Sequence, residues 1–180
     1  DGILVRTPDG GIEEISLLNL FRNAPNYQGL AGELPTQDVA ILRLLLAVLY
    51  AALADSNSYP KDYGEALDCW ESLWNNKKFP MGVIENYLMR FEERFWLFHS
   101  EHPFYQVAPK DPVTDQGKAI VPSSKEAKYL IGDIAESGNK VRLFSSRTQK
   151  DFASYPEAAR WLIHINSFDA SPGGRPPSTG

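Results

Sequence analysis

The densest group of side chains able to hold a metal or move a proton is His99-Ser100-Glu101-His102. Two imidazoles and a carboxylate are zinc-ligand types, and a metal-dependent hydrolase using His99, Glu101 and His102 is the one enzymatic reading these residues offer. Against it, Pro103 pushes His102 away from helical geometry, so the two imidazoles need not share a face. The single cysteine, Cys69, excludes an internal disulfide and a multi-cysteine zinc site. Amid apolar neighbours it reads as a buried structural thiol. The acid pairs Glu13/Glu14 and Glu92/Glu93 are adjacent in sequence and do not face one another on a helix. Nothing supplies the raised pKa a general acid needs, so they read as solvated charges. His164 sits on a mainly apolar helix and reads as a hydrogen-bonded core or surface histidine. No phosphate-binding glycine loop, dinucleotide fingerprint, HExxH or GxSxG is present. The expectation is no enzyme, no metal and no cofactor.

The elements that would position these residues follow from periodicity. Ile3–Arg6 and residues 12–16 flank Pro8-Asp9-Gly10-Gly11, two β-prone runs around an Asp-Gly turn, which predicts a hairpin. A helical turn begins at Leu17. Thr36 is placed to cap a helix over 37–54, which is apolar on nearly every side and so expected to be buried all round. A helix over 62–76 puts Tyr63, Ala66, Leu67, Trp70 and Trp74 on one stripe, and one over 81–98 does the same with Ile84, Tyr87, Leu88, Phe91 and Phe95. Both stripes read as core. Residues 107–124 form a long loop rich in Pro and Gly. A short helix at 125–132 and a strand at 140–144 follow, then a polar, partly basic loop over 145–153. Ser154 and Glu157 have capping-box spacing and start a helix over 155–168, with Ala158, Ala159, Leu162, Ile163 and Ile165 as its apolar side. Residues 169–180 read as a loop or tail. The class is α+β, helix-dominated, with an N-terminal β-hairpin and short strands.

With 180 residues, 43% hydrophobic and 12% aromatic, the chain can bury one sizeable core, and the simplest reading is a single domain over 1–180. It is equally compatible with being part of a larger protein. The apolar run 39–54 is shorter than the ~20 residues that span a bilayer and contains Arg43, so it reads as a core helix and no membrane partner is expected. A net charge of -5 argues against a free-standing, non-specific DNA binder. The charge is uneven: residues 1–117 carry 9 Lys/Arg against 17 Asp/Glu, and residues 118–180 carry 9 against 6. Phosphate contacts are therefore to be sought in the last third.

Two stretches carry a family resemblance. Phe95-Trp96-Leu97-Phe98-His99-Ser100-Glu101-His102-Pro103-Phe104-Tyr105-Gln106 resembles the F-x-L-F-x-x-x-x-P-F-x-Q segment of CasA proteins, the large subunits of the type I-E CRISPR surveillance complex Cascade. Residues 157–169 are similar to that family's E-A-A-x-x-L-L-x-x-Q-x-F-D helix, and the opening hairpin with Ile15-Ser16-Leu17 fits its N-terminus. The resemblance spans nearly the whole chain and implies the N-terminal portion, roughly the first third, of a larger CasA-like protein. It implies a non-catalytic, cytoplasmic subunit of an RNA-guided antiviral complex. That subunit would recognise the protospacer-adjacent motif (PAM) on double-stranded DNA, help open the duplex and help recruit the helicase–nuclease. Its partners would be CRISPR RNA, the other Cascade subunits, target duplex and that helicase–nuclease. The alternatives are the hydrolase above and a generic protein-interaction scaffold. Two family elements map onto this sequence. The loop near the guide RNA's 5′ end matches Leu143, Phe144, Ser145 and Ser146 and continues through Arg147 to Lys150. The glycine loop contacting the PAM from the minor groove matches Ser171-Pro172-Gly173-Gly174-Arg175. These residue types suit such roles: glycine backbone can approach a groove floor, arginine enters a narrow groove, and Phe144 can stack while Arg147 and Lys150 meet phosphates.

Overall fold

The computed structural model describes residues 2–57, 59–106 and 153–168. The loops read at 107–124 and 145–152, the helix at 125–132, the strand at 140–144 and the tail at 169–180 lie outside the described residues. Strands β1 (Ile3–Arg6) and β2 (Ile12–Ile15) form the predicted hairpin in antiparallel register, Ile3 opposite Ile15 and Arg6 opposite Ile12. Gly10 takes a positive φ of 87° in the turn, and the Asp9 carboxylate accepts from the Thr7 hydroxyl and the Gly11 amide. These bonds, the Thr7 hydroxyl first, hold the Asp9 carboxyl below its ordinary pKa. A third strand, β3 (Gly29–Leu30), pairs antiparallel with the other edge of β1, giving the order β2-β1-β3. At two residues it has no readable alternation, which is why the sequence did not disclose it.

Helix α1 (Leu17–Asn23) is capped by the Ser16 hydroxyl, which accepts from the Asn19 amide at 3.1 Å. Helix α2 (Pro35–Asp55) is the central element and packs against α4 (Met81–Arg90) and α5 (Tyr155–Phe168). Ile41 joins Ile3, Val5 and Leu20 in one apolar cluster, and Val48, Leu49, Ala52 and Leu53 join Phe21 and Ile84 in a second. Two expectations for α2 are corrected. The helix starts at Pro35, whose missing N–H costs nothing in a first turn, with Leu34 rather than Thr36 at the cap. Nor is it buried all round: Val39, Leu42, Leu46 and Tyr50 form a stripe 40–50% exposed. At 21 residues it is also longer than its apolar run, and by length and composition it could cross a bilayer. Its buried face on β1, α4 and α5 makes it a core helix here.

The aromatic stripe on α3 (Tyr63–Asn76) is likewise not core among the described residues. No α3 residue is buried, Tyr63 and Trp74 are more than 80% exposed, and only Trp70 reaches the second cluster, edge-on to Tyr50. Cys69 is half-buried rather than buried. Local bonds hold the helix instead: Asp62 Oδ1 accepts from the Glu65 amide at 2.9 Å, Glu65 Oε2 from the Lys61 amide at 2.8 Å, and Lys77 closes it in the left-handed conformation. Helix α4 ends at Arg90, well short of residue 98. There the Arg90 guanidinium meets Asp55 at 2.7 Å, and the chain tightens into a 3-10 turn over Glu92–Phe95. Its own stripe does pack: Ile84 is fully buried, with Tyr87, Leu88 and Phe95 against it.

The candidate nucleic-acid interface and its scaffold

Phe144, Ser145, Ser146, Arg147, Lys150, Gly173, Gly174 and Arg175 lie outside the described residues. The described structure contains what flanks them: the start of α5, which follows the first group, and its end at Phe168, which precedes the second. Ser154 caps α5, its hydroxyl accepting from the Glu157 amide at 3.3 Å and its carbonyl from Ala158 at 2.8 Å, on the predicted spacing.

The buried face of α5 shares Ile163 with the one expected and otherwise differs from it. It consists of Glu157, Arg160, Trp161 and Ile163, and Trp161 is wholly enclosed against Leu34 and Ala153. Arg160 is the centre of this face. Its Nε and Nη2 donate side-on to the two oxygens of Glu33, at 3.3 and 2.6 Å. Its Nη1 donates to Glu14 Oε2 at 3.1 Å and to the Gly2 carbonyl at 2.5 Å. Glu14 is thus not a merely solvated charge. Paired with Leu4 in the hairpin, it points away from the Ile3/Val5 face and toward α5. Gly2, at φ 131°, lies so close to α5 that a Cβ there would overlap Pro156 Cβ. Burial alone would push the Glu33 carboxyl up; the Arg160 hydrogen bond and charge, with the Glu33 amide and Gln37, outweigh this and leave it below the ordinary carboxylate range. Burial likewise works against the Arg160 charge, and Glu33 and then Glu14 outweigh it, so its pKa lies above the ordinary value. One of the nine cations in the basic third is therefore committed to the fold and not available to phosphate. Further along α5, His164 Nε2 lies 2.9 Å from the Thr36 hydroxyl, which gives Thr36 a role other than capping and bears out His164 as a hydrogen-bonded residue.

The histidine cluster is built into a turn. His99 Nδ1 accepts from the backbone amides of Glu101 and His102, at 3.1 and 2.9 Å, and Nε2 faces Glu93 at 3.7 Å. A nitrogen accepting two N–H bonds has no lone pair free for a metal, and the other nitrogen then carries the proton. The His99 and His102 rings stack at 5.8 Å and 11° rather than converging on a point. Among the described residues no group of three or more His, Cys, Asp or Glu could hold a metal ion.

Around this turn the first motif closes on itself. Phe95 and Phe104 stack at 5.9 Å, the Phe104 amide donates to the Trp96 carbonyl, and Gln106 Nε2 donates to the carbonyls of Leu97 and Phe104. It also docks on the second motif's helix at both ends: Phe98 meets Tyr155 edge-on at 5.3 Å, and Asn166 Nδ2 donates to the Tyr105 carbonyl at 3.3 Å. The sequence showed the two motifs but not that they touch. It also left Arg160 unremarked, although Arg160 is the only Asp, Glu, Lys or Arg between Ala158 and Phe168. A solitary charge on an otherwise apolar helix was the available signal.

The fold and these contacts define a helix-dominated α+β unit whose α5 is tied to the sheet on one side and the aromatic turn on the other. The family model for the CRISPR-associated protein Cse1 matches residues 3–180, and the chain belongs to that family. A CRISPR-associated protein CasA/Cse1 from Thermus thermophilus is 35% identical over 167 residues, 92% of this chain and 29% of that protein. The crystal structure of Thermobifida fusca Cse1 superposes with a TM-score of 0.71 at 33% identity, covering 94% of this chain and 29% of that one. A chain of a CRISPR RNA-guided surveillance complex shares the fold, with a TM-score of 0.63 at 18% identity over 91% of this chain and 32% of that one. The chain thus spans somewhat under a third of the length of the relatives it matches.

Proposed function

We propose that this chain is part of a non-catalytic subunit of an RNA-guided antiviral surveillance complex, acting in the cytoplasm with CRISPR RNA and the other Cascade subunits. In this reading it recognises the PAM on double-stranded DNA and helps recruit the helicase–nuclease. The observation that carries the reading is the Cse1 family match, which runs from residue 3 to 180 and so includes both candidate segments, 144–150 and 171–175. The same fold in a chain of a CRISPR RNA-guided surveillance complex supports it. So does the engagement of His99 in its own turn, which removes a ligand from the hydrolase reading. Guide pairing reads the target sequence in such machines, leaving the protein a short duplex motif. Gly173 and Gly174 suit a backbone approach to a groove floor, with Arg175 beside them for its negative potential.

The test is a duplex-binding titration with and without the PAM, using full-length protein assembled into the complex. Bulky residues at Gly173 and Gly174 introduce a Cβ costing about 1–3 kcal/mol at a close contact or a positive φ. Affinity for the PAM duplex should fall roughly ten- to a hundredfold. Binding to a single-stranded target should barely change. Full PAM discrimination in these variants overturns the site assignment.

A further inference from the structure

Helix α3 stands apart from the rest of the described molecule. It is capped at both ends by local bonds, yet of its residues only Trp70 reaches a core cluster. Its inward side, Ala66, Cys69, Trp70 and Leu73, is half-buried. Beside that side runs a second apolar strip, Tyr63, Leu67 and Trp74, and all three are exposed. The apolar face does not end at the helix. Trp70 meets Tyr50 of α2 edge-on at 5.5 Å, and Tyr50 meets the exposed Tyr59 at 6.2 Å. Tyrosine and tryptophan are enriched where protein surfaces meet, and contiguous exposed apolar faces mark interaction sites.

The charge around this face is one-sided. Residues 62–76 hold four carboxylates, Asp62, Glu65, Asp68 and Glu71, and no Lys or Arg. Asp62 and Glu65 accept from backbone amides at the helix start. Asp68 and Glu71 have no ion-pair partner among the described residues. They sit three residues apart, where like charges on a helix repel. Glu71 lies on the exposed strip itself, four residues after Leu67 and three before Trp74.

We propose that α3 is a docking helix for a basic protein surface: Tyr63, Leu67 and Trp74 enter an apolar groove on the partner, while Asp68 and Glu71 meet its Lys or Arg side chains. The sign of the charge selects the occupant. Nucleic acid and anionic membrane surfaces are disfavoured by carboxylates with no cation among them. A second copy in an isologous pair would set the same acidic helix against itself. A basic partner relieves the Asp68–Glu71 repulsion, and its cations can lie over the Trp74 and Tyr63 rings. The inference rests on the reading of this chain as part of an RNA-guided complex. Subunits that hold RNA phosphates must present Lys and Arg, so such a complex contains basic neighbours.

The test uses the full-length protein and the surveillance complex assembled from guide RNA and the other subunits without it. Binding is titrated at several salt concentrations for the native protein, for Tyr63→Ser with Trp74→Ser, and for Asp68→Lys with Glu71→Lys. Each pair should lower the affinity about tenfold or more, and the charge pair should also flatten the salt dependence. Thermal unfolding of the free variants should match the native protein, because all four side chains are exposed. Asp68→Asn with Glu71→Gln serves if the lysine pair does not fold, and should weaken binding to a smaller degree. Unchanged affinity in the apolar and the charge variants overturns the inference. So does a lower Tm of the free variants, which marks the face as covered by another part of the same chain. A native dimer that the variants lose overturns it too, in favour of a second copy. If the native protein does not bind the complex at all, the reading of the chain as its subunit has failed; if it binds and the variants bind equally well, only the docking helix has failed.

Discussion

At the scale of single residues, the Glu33–Arg160 pair is where charge and burial are most tightly linked. An isolated carboxylate this enclosed would prefer to be neutral, and a guanidinium would pull water in after it; together, with Glu14 and the Gly2 carbonyl, each is satisfied. The pair gives the protein an acid-sensitive component. The Glu33 carboxyl is held below its ordinary pKa, so its stabilising contribution is full above the unfolded value of about 4.3 and is lost as pH falls through the lower folded value. Glu33→Gln, which mimics the protonated side chain without titrating, should cost about 1.5–3 kcal/mol near pH 7, the range for a hydrogen bond to a charged group. Urea unfolding of both proteins from pH 7 downward is the check. The gap should narrow as pH falls below the ordinary carboxylate range and close once the Glu33 carboxyl is protonated in the folded protein; a constant gap at acid pH would show that shape, not ionisation, carries the effect.

At the scale of elements, an end is legible where a local side chain marks it, as at Ser154, and is not where the cap or stop is unmarked, as at Leu34 and Arg90. The Ser154/Glu157 spacing located α5 because capping is local chemistry, readable within a few residues. Ser154→Ala should accordingly cost about 1 kcal/mol, measured by chemical denaturation, with no change in the Arg160 contacts. The Asp-Gly turn likewise located the hairpin. Which face of a helix is buried depends on partners distant in the chain, and there the reading went astray. On α5 the apolar residues Leu162 and Ile165 are only half-buried while Arg160 is enclosed, because its carboxylate partners, Glu14 and Glu33, lie far away in the chain. On α2 and α3 the apolar stripes are genuine, but among the described residues Leu42, Leu46, Tyr63 and Trp74 have little covering them. A stripe records the capacity to be buried and does not say by what. The candidate interface was legible only through family resemblance. Its glycines, serines and cations carry no period, so nothing but the motif order distinguished 144–150 and 171–175 from ordinary loops.

At the scale of the whole molecule, the division of charge matters most. The acidic first part, with 17 carboxylates against 9 cations, disfavours DNA in general, which agrees with the proposed response to a short motif and not to any duplex. The cations of the last third then act against that background, and with Arg160 committed to Glu33, attention narrows to those outside the described structure. Of these, Arg147 and Lys150 lie three residues apart in the segment similar to the guide-proximal loop. If they meet phosphates, they contribute attraction without sequence information, since each neutralised phosphate releases counterions whatever the bases are. Reversing both charges in the assembled complex should therefore weaken binding to PAM and PAM-free duplexes alike. The slope of log affinity against log salt should become shallower by about one for each phosphate no longer neutralised. Titrations over a range of salt concentrations measure both quantities at once. A loss confined to the PAM duplex, or an unchanged salt slope, would move these residues out of the phosphate role and leave Gly173, Gly174 and Arg175 to carry the interface.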